Sequence, residues 1–212
     1  MPILYSTILE QVGFSTGIPA PPAPPAPPVV SRLAPNLSGD DQQIETQLIT
    51  LSGDYELGFT IKPITPQAGF NGIAYDSTGA TTAFIRFRNS DGFIQFNGFS
   101  GTDIRVNAIP STGSEDYKLI LRRVGTALTL SVNDSIEYTG VTGLADVTLN
   151  TWGNNGLSSS NIRVYNIYAN DKSLHDYPCD DGYENNPTIR NIGSAGDAEI
   201  FNATLDMWVD VI

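Results

Sequence analysis

Between Asp116 and Tyr138, apolar and polar residues alternate in a way that one strand register organises. The stretch reads Asp-Tyr-Lys-Leu-Ile-Leu-Arg-Arg-Val, Gly-Thr, Ala-Leu-Thr-Leu-Ser-Val, Asn-Asp-Ser, Ile-Glu-Tyr. With Gly125-Thr126 as a two-residue hairpin loop, glycine supplies the positive φ that a type II′ turn requires. Val124 then faces Ala127, Leu121 faces Leu130 and Leu119 faces Val132, and these pairs are expected on one side of the ribbon. Arg122 with Thr129, Ile120 with Ser131 and Lys118 with Asn133 fall on the other side. A three-residue loop, Asn133-Asp134-Ser135, carries the meander onward and sets Ile136 opposite Val132 and Tyr138 opposite Leu130. The pattern predicts an antiparallel β-meander with one buried face.

The same alternation recurs along the middle of the chain. Tyr55, Leu57, Phe59 and Ile61 interleave with Glu56, Gly58, Thr60 and Lys62. Phe84-Ile85-Arg86-Phe87 and Phe93-Ile94-Gln95-Phe96 flank the turn-rich Arg88-Asn89-Ser90-Asp91-Gly92. Strands are predicted at Thr46–Leu51, Tyr55–Lys62, Thr82–Phe87, Gly92–Asn97 and Asp103–Asn107. Further strands are predicted at Tyr117–Val124, Ala127–Val132, Ile136–Tyr138, Asp146–Thr151 and Ile162–Ala169. Short strands at regular spacing, with glycine-rich turns and no helical period between them, indicate an all-β sandwich or jelly roll.

The ends of the chain differ in pattern. In residues 1–18, Leu4, Ile8 and Val12 fall four apart, and Thr7-Ile8-Leu9-Glu10 has capping-box spacing. Such a short helix is not stable alone. The segment is expected to be a docking peptide anchored through Ile3, Leu4, Tyr5, Ile8, Leu9, Val12 and Phe14, with a frayed terminus as the alternative. Residues 19–28 read Pro-Ala-Pro-Pro-Ala-Pro-Pro-Ala-Pro-Pro. Proline fixes φ and removes amide donors, so polyproline II is the expected form, spanning roughly 30 Å at about 3.1 Å per residue. The expected organisation is a docking peptide over 1–18, a proline-rich linker over 19–35, a sandwich over 36–170 and a C-terminal extension over 171–212 packed on or extending it.

Composition narrows the partners. The 212 residues are 40% hydrophobic and 16% charged, enough apolar matter for a core. Net charge is −12, from 11 basic and 23 acidic residues, which repels nucleic acid and anionic membrane. The single cysteine, Cys179, forms no internal disulfide. No apolar run is long enough for a transmembrane helix, and the N-terminus lacks the basic region of a signal peptide.

The run from Tyr117 to Asp134 resembles the central hairpin of concanavalin A-like (laminin-G-like) jelly rolls, in which Arg-x-Gly-x-x-Leu-x-Leu-x-Val-Asn-Gly recurs, with Asp134 here in place of the last glycine. Asn161-Ile-Arg-Val-Tyr-Asn-Ile-Tyr-Ala-Asn resembles the last strand of that family. The likeness covers about residues 40–170 and speaks to fold, since this fold hosts lectins, hydrolases and inert domains. Residues 171–212, with Tyr-Pro-Cys-Asp-Asp-Gly, Gly193-Ser-Ala-Gly and a late Trp208, resemble C-terminal extensions of tailed-phage virion proteins. The resemblance implies a non-enzymatic virion structural protein on the particle surface, as capsid decoration, head fibre or tail-associated adhesion domain. It would be held to other virion proteins through the N-terminus, with a homo-oligomer, such as a trimeric spike, as the expected assembly. The alternatives are a carbohydrate-binding lectin module and a divergent glycan hydrolase.

Candidate chemistry is sparse. A glycan platform needs an aromatic face beside amide or carboxylate hydrogen-bonders, and the candidates are Trp152 with Asn154 and Asn155, and the segment Phe70–Tyr75 with its Tyr75, while a plug at the core edge is the favoured reading of Trp152 itself. The retaining glucanases of this fold carry Glu-x-Asp-x-x-Glu along one strand, and nothing here matches. Glu115-Asp116 point to opposite faces, and Asp180, Asp181 and Glu184 sit in a Gly/Pro loop, so no catalytic residue is expected. His175 and Cys179 flank a proline without an adjoining oxyanion turn. No cofactor is expected. Ca2+ is the one ion considered, at Asp180, Asp181 or Asp76-Ser77, and solvated turn aspartates are the alternative there.

Overall fold

The computed structural model describes residues 32–37, 42–63, 70–78, 83–88, 93–99, 103–107, 115–142, 145–153, 162–180, 186–204 and 207–211. The expected docking peptide and the proline segment lie outside them. Sixteen strands form among the described residues. They are β1 (Arg32–Leu37), β2 (Gln43–Leu51), β3 (Tyr55–Pro63), β4 (Phe70–Tyr75), β5 (Phe84–Arg88), β6 (Phe93–Asn97), β7 (Ile104–Val106) and β8 (Tyr117–Val124). β9 (Ala127–Val132), β10 (Ser135–Val141), β11 (Val147–Gly153), β12 (Ile162–Ala169), β13 (His175–Tyr177), β14 (Thr188–Ile189), β15 (Ala198–Phe201) and β16 (Trp208–Val211) follow. No α-helix occurs among the described residues.

The strands make two antiparallel sheets. Sheet 1 runs β10-β9-β8-β3-β12-β1-β16, with β13 also on β12, and sheet 2 runs β14-β15-β2-β11-β4-β5-β6-β7. Their inner faces carry the alternating apolar residues that the sequence pattern marks. Leu57, Phe59 and Ile61 of β3 join Leu119 and Leu121 of β8 against Ile85 and Phe87 of β5 and Ile94 and Phe96 of β6, all buried. Phe59 meets two aromatics of sheet 2, 5.5 Å from Trp152 edge-on and 6.4 Å from Phe96. Such tilted ring pairs add to area burial because ring edges and faces carry opposite partial charge.

The meander register holds through the first hairpin. Leu119 pairs with Val132, Leu121 with Leu130 and Val124 with Ala127, and Gly125 has φ 58°. One assignment of faces is corrected. Alternation places Arg123 and Leu128, not Val124 and Ala127, on the side of Leu121, so Val124 is 52% exposed and Arg123 1% exposed. Backbone carbonyls meet two of the three guanidinium nitrogens: Nε donates to Gly53 O, Nη1 donates to Ala145 O at 3.2 Å, and the group lies 4.7 Å from the Tyr55 ring. The two carbonyls and the aromatic face offset part of the cost of burying the charge.

The second loop also differs from expectation. Asn133 and Asp134 alone form it, both with positive φ (49° and 66°), as a two-residue type I′ turn requires. Ser135 therefore pairs with Val132 and Ile136 with Ser131, and a bulge before Tyr138 restores the expected pairing with Leu130. Ile136 is left 67% exposed. The bulge supplies the extra residue that the sequence reading had placed in the loop.

The sheets draw on more of the chain than the predicted strands. β1 begins at Arg32, so the last residues of the 19–35 segment are strand, and it pairs with β12 and β16. Phe70–Tyr75 is a strand between β11 and β5 rather than a loop. Residues after 170 supply β13 to β12, β15 to β2 and β16 to β1, so both sheets are extended by this segment. Asn191 ties it together: its side chain accepts from the amides of Asp176 (2.8 Å) and Gly193 (3.0 Å) and donates to Leu174 O and Ala195 O, both at 2.8 Å.

On the outer face of sheet 1, Tyr168 lies across Gly58. A Cβ on Gly58 would stand 2.1 Å from the Tyr168 ring, and the phenol donates to Glu56 Oε1 at 2.9 Å. Glycine is required there by this close approach, not by its own dihedrals. Gly58→Ala is expected to destabilise the fold by about 1–3 kcal/mol through overpacking. In a Tyr168→Ala background the same change should cost clearly less, as read by a double-mutant cycle of urea melts; equal costs in both backgrounds would refute the contact.

Candidate functional site

Because Phe96, Ile85 and Trp152 face the core, their strand neighbours lie on the outer face of sheet 2, where polar and aromatic side chains gather. Register sets Arg86 opposite Gln95 and Gln95 opposite Arg105, one row across β5, β6 and β7. Phe84 and Asn97 form the adjoining pair. Toward the other edge Tyr75 pairs with both Phe84 and Thr151, Thr151 with Glu45, and Glu45 with Glu199. Phe201 stands opposite Gln43 and is 41% exposed.

The row over β5–β7 is internally bonded. Arg86 Nε donates to Gln95 Oε1 at 2.7 Å, and Gln95 Nε2 donates to Asp103 Oδ2 at 2.5 Å. Asp103 also accepts from Asn97 Nδ2, and from Arg105 Nη2 at 3.0 Å. The Arg105 hydrogen bond, aided by the Asn97 and Gln95 amides, holds the Asp103 carboxyl below its ordinary range. Both guanidiniums rest on rings: Arg86 lies 5.0 Å from the Phe84 centroid and Arg105 5.5 Å from that of Phe93. These contacts restrict long side chains to one geometry before any ligand arrives.

A second group lies over β2, β11 and β4. Tyr75 donates its hydroxyl to Gln43 Oε1 at 3.3 Å, and Gln43 Nε2 donates to Glu45 Oε1 at 2.9 Å. Partial burial raises the Tyr75 phenol pKa, the Thr151 hydrogen bond opposes this, and the Glu45 carboxylate adds to it. The face as a whole alternates rings with amides, carboxylates and guanidiniums, and spans roughly 30 Å from β15 to β7 at about 4.8 Å per strand.

Of the sequence-derived glycan candidates, the structure brings Tyr75 to this face and removes Trp152 from it. A register shift in β11 between Leu149 and Thr151 turns Trp152 inward, where it is fully buried and its Nε1 lies 3.4 Å from Thr46 Oγ1. A ring with no exposed face cannot stack on a sugar. Asn154 and Asn155 lie outside the described residues, as do Asp181, Glu184 and the anchoring residues Ile3, Leu4, Tyr5, Ile8, Leu9, Val12 and Phe14.

The other candidates have structural partners. Asp76 Oδ1 accepts from the Thr78 amide at 2.8 Å, and its Oδ2 accepts from Thr148 Oγ1, an arrangement that closes a turn against β11. Among the described residues no group of three or more His, Cys, Asp or Glu side chains is placed to hold a metal ion. Asp116 lies 3.9 Å from Lys62 Nζ and bonds the Tyr165 phenol. Cys179 is buried, with Sγ 3.3 Å from Tyr177 O, and His175 Nδ1 is 3.4 Å from the Tyr177 hydroxyl.

Residues missed in the sequence are Gln43, Glu45, Arg86, Gln95, Asp103, Arg105, Glu199 and Phe201. The Arg86–Gln95 neighbourhood was readable from the alternation of β5 and β6. The Glu45–Glu199 pair was not, since it joins strands from opposite ends of the chain and leaves no along-strand spacing.

No family model and no curated protein matches the chain. Solved structures do. A protein of Bacteroides ovatus ATCC 8483 whose name proposes carbohydrate binding superposes with TM-score 0.60 at 12% identity, over 87% of this chain and 61% of that one. The fold is a concanavalin A-like jelly roll. Weaker likenesses include carbohydrate binding module CBM66 of Bacillus subtilis (TM-score 0.44, 12% identity, 67% of this chain and 92% of that one). Mouse laminin α1 domains LG4-5 are another (TM-score 0.47, 13% identity, 70% and 47%). This jelly roll thus spans less than two thirds of the Bacteroides protein it matches.

Two outcomes follow from these placements. Trp152→Ala is expected to lower stability by about 3–5 kcal/mol, as emptied aromatic core sites do, and a melt unchanged from the parent would show that the ring is not in the core. His175 is the second. Burial lowers its pKa below the ordinary 6.5, so below about that pH the unfolded chain binds a proton that the fold resists. Its contribution is complete above the unfolded value and is lost as pH falls beneath it. Urea midpoints are expected to drop from about pH 7.5 to about 5.5 in the parent and to drop less in His175→Gln.

Proposed function

We propose that this chain is a non-catalytic carbohydrate-binding module whose glycan lies along the outer face of sheet 2. The observation that carries the reading is the composition of that face: Tyr75, Phe84 and Phe201 rings interleaved with Gln43, Arg86, Asn97, Asp103 and Arg105. Sugars offer apolar ring faces for stacking and hydroxyls for planar amide, carboxylate and guanidinium groups, which is the pairing this surface presents. The fold-level likeness to the Bacteroides protein named for carbohydrate binding supports the same reading. Glu45 and Glu199 face each other on the open sheet, and here they serve as hydrogen-bond acceptors for hydroxyls.

Display of the module on a virion, anchored through residues 1–18 and held off by the proline segment, rests on the composition of residues 1–28 and on the resemblance of residues 171–212. The comparisons lend it no support. Deleting residues 1–18 is expected to abolish particle association with an unchanged melt of the remaining chain; association that survives the deletion would refute the anchor.

The test of the binding reading is a glycan array followed by calorimetry on the parent and on Tyr75→Ala and Arg86→Ala. Binding is expected without release of reducing ends, weakened about tenfold (about 1.4 kcal/mol) in each variant at an unchanged melting temperature. Binding equal to the parent in both variants would move the site off this face, and turnover of a bound polysaccharide would overturn the non-catalytic assignment.

A further inference from the structure

Resting on that reading, we infer that the β5–β7 end of the face selects an uncharged sugar through its hydroxyl groups, with Gln95 as the positioning residue that holds Arg86 and Asp103 in one array. The carboxylate of a uronate or a sulfate ester offers acceptors only, an ammonium offers donors only, and a hydroxyl is both. The array presents an acceptor, Asp103, bonded directly to donors, Arg105 and Asn97. An anionic ligand meeting Arg105 also meets Asp103, and a cationic ligand meeting Asp103 also meets Arg105. A hydroxyl can accept from one and donate to the other.

Charge over the whole chain agrees. At net −12 a polyanion is repelled at long range, and Asp103 already neutralises the nearer guanidinium. An uncharged polymer carries no such penalty.

Gln95 is 2% exposed although it belongs to the outward row, because its amide is used at both ends. Its carbonyl oxygen receives Arg86 Nε and its nitrogen donates to Asp103. The amide thereby fixes the separation and tilt of two groups that approach the ligand, across two strand intervals. Among the described residues, the charged groups facing it are Arg86 from β5 and Asp103 and Arg105 from the β7 side. Replacing the amide by a carboxylate keeps the acceptor for Arg86 and removes the donor to Asp103.

The experiment is calorimetry of the full chain against galactomannan, polygalacturonate and chitosan at two salt concentrations, with Asp103→Asn, Arg105→Gln and Gln95→Glu. Binding to galactomannan is expected in preference to the two charged polymers, insensitive to salt. Asp103→Asn and Arg105→Gln, both at exposed positions, are expected to weaken it at least tenfold. Gln95→Glu is expected to weaken it at pH 7 and to regain affinity toward pH 5, because protonating the added carboxylate restores a donor to Asp103; a purely structural role would give a pH-independent loss. Preference for polygalacturonate or chitosan overturns the inference. So does galactomannan binding indifferent to Asp103→Asn and Arg105→Gln, which leaves the carbohydrate-binding reading standing. No binding to any of the polymers, or to the glycan array, overturns both.

Discussion

The structure depends on the closure of two sheets over a shared aromatic layer, in which Phe59 of β3 reaches both Trp152 of β11 and Phe96 of β6. Each sheet has one apolar face, and neither can hide it alone. Once Phe59, Phe96 and Trp152 face inward, the two-residue period of a strand dictates the direction of every neighbour in register with them. The outward positions of Arg86, Gln95, Tyr75 and Glu45 are consequences of that packing. A slip of one residue in β6 would exchange Phe96 for Gln95 in the core and dismantle the polar row together with the hydrophobic layer.

Both faces of this molecule show how an outward position is used. On sheet 1, Tyr168 folds back over Gly58 and hydrogen-bonds Glu56, so the central strand is covered by the protein's own side chains. On sheet 2 the polar side chains bond one another along the surface instead, leaving rings and planar groups half-exposed. Charge-assisted bonds such as Arg105 to Asp103 hold these groups in place at little cost in desolvation, because the carboxylate and guanidinium remain wet.

Much of the fold was legible from alternation alone. The β8–β9 pairing from Leu119–Val132 to Val124–Ala127 follows from the glycine turn and the apolar spacing. Alternation misleads where the chain departs from strict period two. The extra residue near Asn133 resides in a bulge in β10 rather than in the loop, and the register shift in β11 settles Trp152 as the core residue that the sequence reading favours over a glycan platform. Arg123 was overlooked as a core position because a guanidinium looks polar in sequence, whereas its burial depends on carbonyls from Gly53 and Ala145 that only folding brings near.

By itself, then, the sequence determined the class of fold, the central meander and the acidic, disulfide-free character of the chain, since these follow from local spacing and composition. The tertiary structure decided which side chains meet. Glu45 finds Glu199, Gln95 finds Arg86 and Asp103, and β1 and β16 complete sheet 1 through pairings between distant segments. Hydrogen bonding between strands is indifferent to side-chain identity, so which strand lies beside which is settled by burying the whole apolar surface at once, and no local window of residues contains that information.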